Sequence, residues 1–298
     1  MSNHYRNLLD QAAKLHRHNR QGSYKTRARY YEAMLRFCRF LAEVYRLERL
    51  ANIGPKHIYA YVAHLQESGK SASTIKTELS AIRFFHDLIP NARHELPENR
   101  DLDLERRTFG DVDRTWSDNE FERMMDVALA SNRDDYVTIL YLGRYAGLRI
   151  HECFRIDTAM ATKAIREKAL TIKGKGGLVQ TVPLNEVLIL RLQFHLAQTA
   201  RGHKLFVPDG QETHEAIKAL QAFIWGNRPW AQDKGSTRPM TFHGLRHTYA
   251  AERYQQESVQ GGKSPYAARK DVAKLLGHGR DSVTRIYLAS LKGGDQND

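Results

Sequence analysis

Ala169-Leu170-Thr171-Ile172-Lys173-Gly174-Lys175-Gly176-Gly177-Leu178-Val179-Gln180-Thr181-Val182 breaks the helical period of the chain around it. Alternation of apolar and polar residues sends successive side chains to opposite faces of a strand, and the glycine-rich middle supplies a tight turn. The stretch therefore reads as strand, turn, strand. On its C-terminal side the chain reads as helical through Asp298, with breaks at Pro229, Gly261-Gly262 and Gly277. On its N-terminal side a helix spans about Asp134 to Tyr145 and ends in Ala146-Gly147, where Gly147 can take a left-handed cap conformation. Before that, Ser117-Asp118-Asn119-Glu120 forms a capping-box pattern ahead of Phe121, Met124, Met125 and Val127.

Residues 91–115 are polar and lack apolar periodicity, which predicts a linker or long loop. The first hundred residues return to helices. From Ala28 to Tyr45 an apolar stripe of Tyr31, Met34, Leu35, Cys38, Leu41 and Tyr45 recurs at three- and four-residue spacing, with Arg29, Arg36, Arg39 and Arg46 mostly off it. A second helix follows Gly54-Pro55, carries Ile58, Tyr61, Val62 and Leu65, and ends at Ser68-Gly69. A third starts near Ser73, carries Ile75, Leu79, Ile82, Phe85 and Leu88, and stops before Pro90. The expected architecture is mainly α: a helical domain over residues 1–100, a linker over 101–115, and a mostly helical domain with a small antiparallel sheet over 116–298. There is no internal repeat.

The 298 residues are 41% hydrophobic and 27% charged, a globular balance. Cys38 and Cys153 are the only cysteines, which excludes a disulfide framework and a multi-cysteine zinc site. No apolar run approaches the roughly 18 residues that span a bilayer. The basic N-terminus lacks the apolar core of a secretory signal. A soluble, cytoplasmic protein with no membrane partner is expected. The net charge of +12 and a pI near 9.6 are concentrated in the first hundred residues, with 17 basic against 9 acidic side chains. That balance points to a polyanion such as nucleic acid, because each phosphate neutralised releases counterions. A merely solvated basic surface is the alternative, and the basic faces of the first helices (Arg29, Arg36, Arg39, Arg46) are where contact would occur.

Four segments of the second domain carry reactive groups. They are Ala146-Gly147-Leu148-Arg149-Ile150-His151-Glu152, the Gly174-Lys175-Gly176-Gly177 turn, His243-Gly244-Leu245-Arg246-His247, and Leu276-Gly277-His278 followed by Thr284 and Tyr287. Each alone has an ordinary explanation: a helix ion pair, a solvated turn lysine, a half-buried aromatic. His243 and His247 imitate half of a helical zinc site, but Gly244 stands where the acid belongs. Gly174-Lys175-Gly176 lacks the Ser or Thr of a phosphate loop, and Gly262-Lys263-Ser264 is preceded by Glu257 where its first glycine belongs.

Together and in this order the segments resemble the tyrosine recombinase (phage integrase) family. The signature is an arginine in A-G-L-R-x-x-E, a lysine on a G-K-G turn ahead of Val182-Pro183-Leu184, H-x-L-R-H, and L-G-H followed nine residues later by tyrosine. The motifs cover roughly Ser117 to Leu288, and the helical first domain agrees in layout with the family's core-binding domain.

The resemblance implies a site-specific recombinase that cuts and rejoins DNA through a 3′-phosphotyrosyl intermediate, with no cofactor, neither ATP nor metal. Arg149 and Arg246 would hold the non-bridging phosphate oxygens, and Tyr287 would attack phosphorus. His243 would act as base or hydrogen-bond acceptor, His278 would donate to the phosphate, and Lys175 would protonate the departing 5′-oxygen. Glu152 would orient Arg149, with His247 supporting the site from behind. The implied partners are two double-stranded DNA sites, a tetramer of this chain on DNA, and accessory proteins, at the nucleoid. A mobile genetic element would be one setting. A type IB-like topoisomerase would share the chemistry, a catalytically silent DNA-binding protein would not need Tyr287, and a metal-dependent nuclease would show magnesium dependence. Few residues follow Tyr287, and Gly293-Gly294 interrupts them, so no long C-terminal helix is expected. Nor is a further arm-binding domain expected ahead of the first. Residues 255–270 read as a loop.

Overall fold

The computed structural model describes residues 2–22, 24–105, 112–174, 179–277 and 281–291. The chain divides into two compact units, Met1–Thr108 and Phe109–Asp298.

In the first unit, α1 (Asn3–His18), α2 (Tyr24–Tyr45), α3 (Pro55–Glu67) and α4 (Ala72–His86) surround one core. The stripes seen in the sequence are the buried faces: Met34, Cys38 and Leu41 of α2 meet Ile58, Tyr61 and Leu65 of α3 and Ile75, Leu79, Ile82 and Phe85 of α4. Helix α1 adds a narrow stripe to this core, with Leu8 and Ala12 fully buried. Ser71 starts α4 by accepting the Thr74 N–H (3.3 Å).

The stretch expected to be a linker is fastened at both ends. Leu102 is buried in the first core, the Gln66 amide donates to the Asp103 carbonyl (2.9 Å), and Lys76 Nζ donates to the Glu105 carbonyl (2.6 Å). At the other end, residues 112–116 lie on the second unit. Residues 106–111 are outside the described residues.

The second unit contains α5 (Asp118–Ala130), α6 (Asp134–Tyr145), α7 (Ile150–Cys153), α8 (Thr158–Glu167), β1 (Ala169–Lys173), β2 (Val179–Pro183), α9 (Glu186–Gln198), α10 (Thr213–Ala231), α11 (Phe242–Gln255), α12 (Pro265–Leu275) and α13 (Asp281–Tyr287). The protein is mostly helical with a two-stranded antiparallel sheet, as the sequence indicated. The strands pair Ala169 with Pro183 and Lys173 with Val179, so Leu170, Ile172, Gln180 and Val182 all face inward. The Ser117 box forms: Ser117 Oγ accepts the Glu120 N–H (3.1 Å) and Glu120 accepts the Ser117 N–H (2.9 Å).

Two expectations change. Pro229 does not end α10; the helix runs on to Ala231, because the one hydrogen bond that proline removes lies within its last turn. Residues 255–270 are not a loop. A single wide turn, Gln256–Gln260, extends α11, and Ser264 caps α12 by accepting the Ala267 N–H (3.3 Å). Lys263 ties the two together through Glu257 (2.5 Å) and Asp271 (2.7 Å).

Helix α11 is the spine of this unit. Nearly every residue from Phe242 to Ala251 is buried, including Arg246, His247 and Thr248. Helix α6 packs against it; Gly143 is required there, since a Cβ would come within 2.8 Å of the Phe242 ring.

Candidate active site

Arg149 caps the short α7, and its position is set by Glu152, which has no solvent exposure. The Glu152 carboxylate accepts both the Arg149 backbone N–H (2.7 Å) and Arg149 Nη1–H (2.8 Å). An acid bonded twice to one arginine fixes its direction. The chain reaches this cap through Gly147 at φ +62°, with the Tyr249 ring 2.4 Å from where a Cβ would stand. Only glycine satisfies both conditions.

Arg246, on α11, is completely buried. Its Nη1–H donates to the Gly147 carbonyl and its Nη2–H to the Leu276 carbonyl, while Glu152 lies 4.0 Å away. The guanidinium thus joins the end of α6, the end of α12 and the spine helix. Burial, then the Arg149 charge, pushes its pKa down, while Tyr287 and Glu152 pull it up. The Tyr287 hydroxyl is also its hydrogen-bond partner.

Tyr287 ends α13 and is 7% exposed. Its ring lies 4.5 Å from the His247 ring, 5.4 Å from the His243 ring and 5.6 Å from Arg246 Cζ, measured to centroids. His243 keeps an edge open to solvent at the mouth of the site. Burial of the rest of its ring, followed by the charges of Arg246, Arg149 and Arg114, lowers its pKa to about 4. His247 is 2% exposed, and burial, then His243 and Arg114, lowers its pKa to about 3. Both rings are therefore neutral at pH 7.

A histidine with a depressed folded pKa binds its proton more readily in the unfolded chain. Stability should then be fully present above about pH 6.5 and be lost as pH falls toward about 3, by at most about 1.4 kcal/mol per pH unit for one group. His247→Gln is expected to flatten part of this loss between pH 6.5 and 5. The melting temperature against pH measures it, and equal slopes for the two proteins would show that His247 is not held neutral.

The structure thus gathers Arg149, Glu152, His243, Arg246, His247 and Tyr287. Lys175 and His278 lie outside the described residues; β1 ends at Lys173, two residues before the first, and Gly277 directly precedes the second. Arg29, Arg36, Arg39 and Arg46 belong to the first unit. Arg36 is engaged by buried Glu78 (2.5 Å), and Arg39 lies over the Tyr5 ring (5.6 Å). Arg29 and Arg46 are exposed.

Sequence reasoning missed Arg114, whose charge acts on both site histidines. It sits in the featureless 91–115 stretch, so no periodic signal marked it. A cavity of about 480 Å³ opens beside Arg149 and His243, walled by Gln221, Trp225, Arg228 and Thr241. Trp225 is exposed there, with the Arg228 guanidinium 4.3 Å over its ring.

The phage integrase N-terminal SAM-like domain matches residues 15–89, and the phage integrase family matches residues 115–293. Tyrosine recombinase XerD of Shewanella oneidensis is 25% identical over 259 residues, spanning 80% of this chain and 78% of that protein. Among solved structures, the XerH site-specific recombinase bound to palindromic difH substrate in a post-cleavage complex superposes with a TM-score of 0.65 at 18% identity, over 94% of this chain and 80% of that one. A lambda integrase tetramer bound to a Holliday junction gives 0.63 at 17% identity, over 97% and 78%.

Proposed function

The chain belongs to the phage integrase family of tyrosine recombinases, and from that membership we propose that it recombines double-stranded DNA at specific sites through a 3′-phosphotyrosyl link on Tyr287. The observation that carries this reading is the packing of Tyr287 against Arg246, His243 and His247, with Arg149 and its buried acid alongside.

In the proposed reaction the Tyr287 oxygen attacks phosphorus and the bond to the 5′-oxygen breaks. Negative charge grows on the non-bridging oxygens, which Arg149 and Arg246 stabilise; guanidinium donors fixed before reaction cost no reorganisation at that moment. Neutral His243 takes the phenol proton, a task for which an imidazolium would be useless. His278 donates to the phosphate, Lys175 gives a proton to the departing 5′-oxygen, and Glu152 keeps Arg149 aimed. The phosphotyrosine retains the energy of the broken linkage, so a 5′-hydroxyl from another strand reverses the step and neither ATP nor metal is called for.

Arg246 is sealed beneath Tyr287, so the phosphate reaches it only after α13 shifts. The cavity beside Arg149, with exposed Trp225 and with Arg228 over its ring, offers a cationic and aromatic surface on which an adjoining DNA strand would lie. The lambda integrase tetramer bound to a Holliday junction supports an assembly of four copies of this chain across two duplexes.

The direct test is to denature the protein rapidly on cellular DNA, recover covalent protein–DNA complexes, and sequence the attached ends. Reads should pile up at a discrete site, each with a free 5′-hydroxyl at the break. Absence of any attached DNA would defeat the reading. Scattered reads would favour a topoisomerase. Lys175→Ala should slow cleavage of ordinary DNA about 10²–10⁴-fold. A substrate with sulfur at the 5′-bridging position, a better leaving group needing no acid, should restore much of the rate. No restoration would remove Lys175 as the acid.

A further inference from the structure

Arg114 has no part in the reaction just described. Its carbonyl oxygen packs so tightly on α11 that a Cβ added to Gly244 would lie 2.3 Å from it. Two residues later, the Trp116 backbone N–H donates to Thr248 Oγ1 (2.9 Å) and its indole Nε1–H donates to the Thr241 carbonyl (2.9 Å). Residues 114–116 are thereby clamped along the Gly244–Thr248 face of the spine helix. The half-buried Arg114 side chain consequently stands beside His243 and His247, within electrostatic reach of both.

The acids of this neighbourhood are already taken by other arginines. Asp233 binds Arg123 (2.5 Å), Glu120 binds Arg238 (3.1 Å), Asp118 binds Arg144 (2.8 Å), and Asp113 faces Arg238 (3.8 Å). Among the described residues, Arg114 has no ion pair and no side-chain hydrogen bond. Arg114, Arg149 and Arg246 thus bring three positive charges to the site. The one buried carboxylate among them, Glu152, is bonded to Arg149. A half-buried guanidinium held rigidly at its backbone, with no internal acid, suits an external anion with planar, two-pronged recognition.

We infer that Arg114 binds the DNA phosphate adjacent to the scissile one, so that the segment entering the second unit helps set which linkage faces Tyr287. This rests on the recombinase reading above. In that reading Arg149 and Arg246 take the scissile phosphate, so Arg114, held along α11 at Gly244 and Thr248, falls to a neighbouring phosphate.

The test separates the inference from that reading. Duplexes carrying the site recovered from wild-type adducts, or a random 40-base-pair duplex if no adduct forms, are made with single methylphosphonates that neutralise one phosphate at a time. Binding is measured in a Tyr287→Phe background, with and without Arg114→Gln and Arg114→Lys. One phosphate next to the cleavage point should matter about tenfold or more to the Arg114 protein and be indifferent to the Gln variant, with Lys giving partial sensitivity. The slope of log affinity against log salt should fall by about 0.9 in the Gln variant. Unchanged melting temperature excludes a folding defect. Identical interference patterns with and without Arg114 would overturn the inference, as would loss of sensitivity at the scissile phosphate itself. Failure of the wild-type protein to form any adduct would instead overturn the recombinase reading, while the binding comparison still decides whether Arg114 holds a phosphate.

Discussion

Tyr287→Phe is expected to abolish covalent attachment to DNA while leaving affinity within about twofold of wild type. The substitution removes one oxygen and nothing else. The ring keeps its place against His247 at 4.5 Å and His243 at 5.4 Å, so α13 stays seated. Loss of the proposed nucleophile should lower cleavage by about 10⁴-fold or more, the scale on which enzymes feel removal of such a group. The measurement is a denaturing gel of protein incubated with labelled duplex, in which the slow adduct band should vanish. Tyr249 is the nearest competing phenol on the spine helix, but it packs under Gly147 in the core. A surviving adduct would move the attack away from Tyr287.

Arg246→Lys keeps the charge and should still cost cleavage about 10²–10³-fold, the range seen when one preorganised donor to a developing oxyanion is lost. The reason lies in what the guanidinium reaches at once: the Gly147 carbonyl, the Leu276 carbonyl and the Tyr287 hydroxyl. An ammonium at the end of a flexible stem spans fewer of these, and each buried acceptor left unpaired costs about 1–3 kcal/mol. Melting temperature should therefore fall together with activity. Cleavage assayed well below the new melting temperature separates the two effects. A near-normal rate there would show that charge alone, without fork geometry, is what the site requires.

Local rules made much of this protein readable from its residues. The stripe of Met34, Cys38 and Leu41 became a buried face, the Ser117–Glu120 box became a helix start, and Gly147 took the left-handed conformation, because each depends on neighbours within a turn or two. The hairpin was legible for the same reason. Arg149 and Glu152, three residues apart, were readable as a bonded pair. What escaped depends on partners far along the chain. Arg246 meets carbonyls 99 and 30 residues away, and Arg114 meets α11 across 130 residues. No periodicity encodes such encounters. Pro229 misled because its effect depends on how much helix remains after it, and residues 255–270 misled because Gly261-Gly262 follows the wide turn rather than replacing it.

The burial of Arg246 under the Tyr287 ring has a consequence for the resting protein. Free inorganic anions have no open path to the Arg246 guanidinium, which is fully buried, so that group should contribute little to their capture. Access to Arg246 becomes conditional on a docking event that lifts the aromatic cap, which would guard the proposed covalent chemistry against accidental nicks.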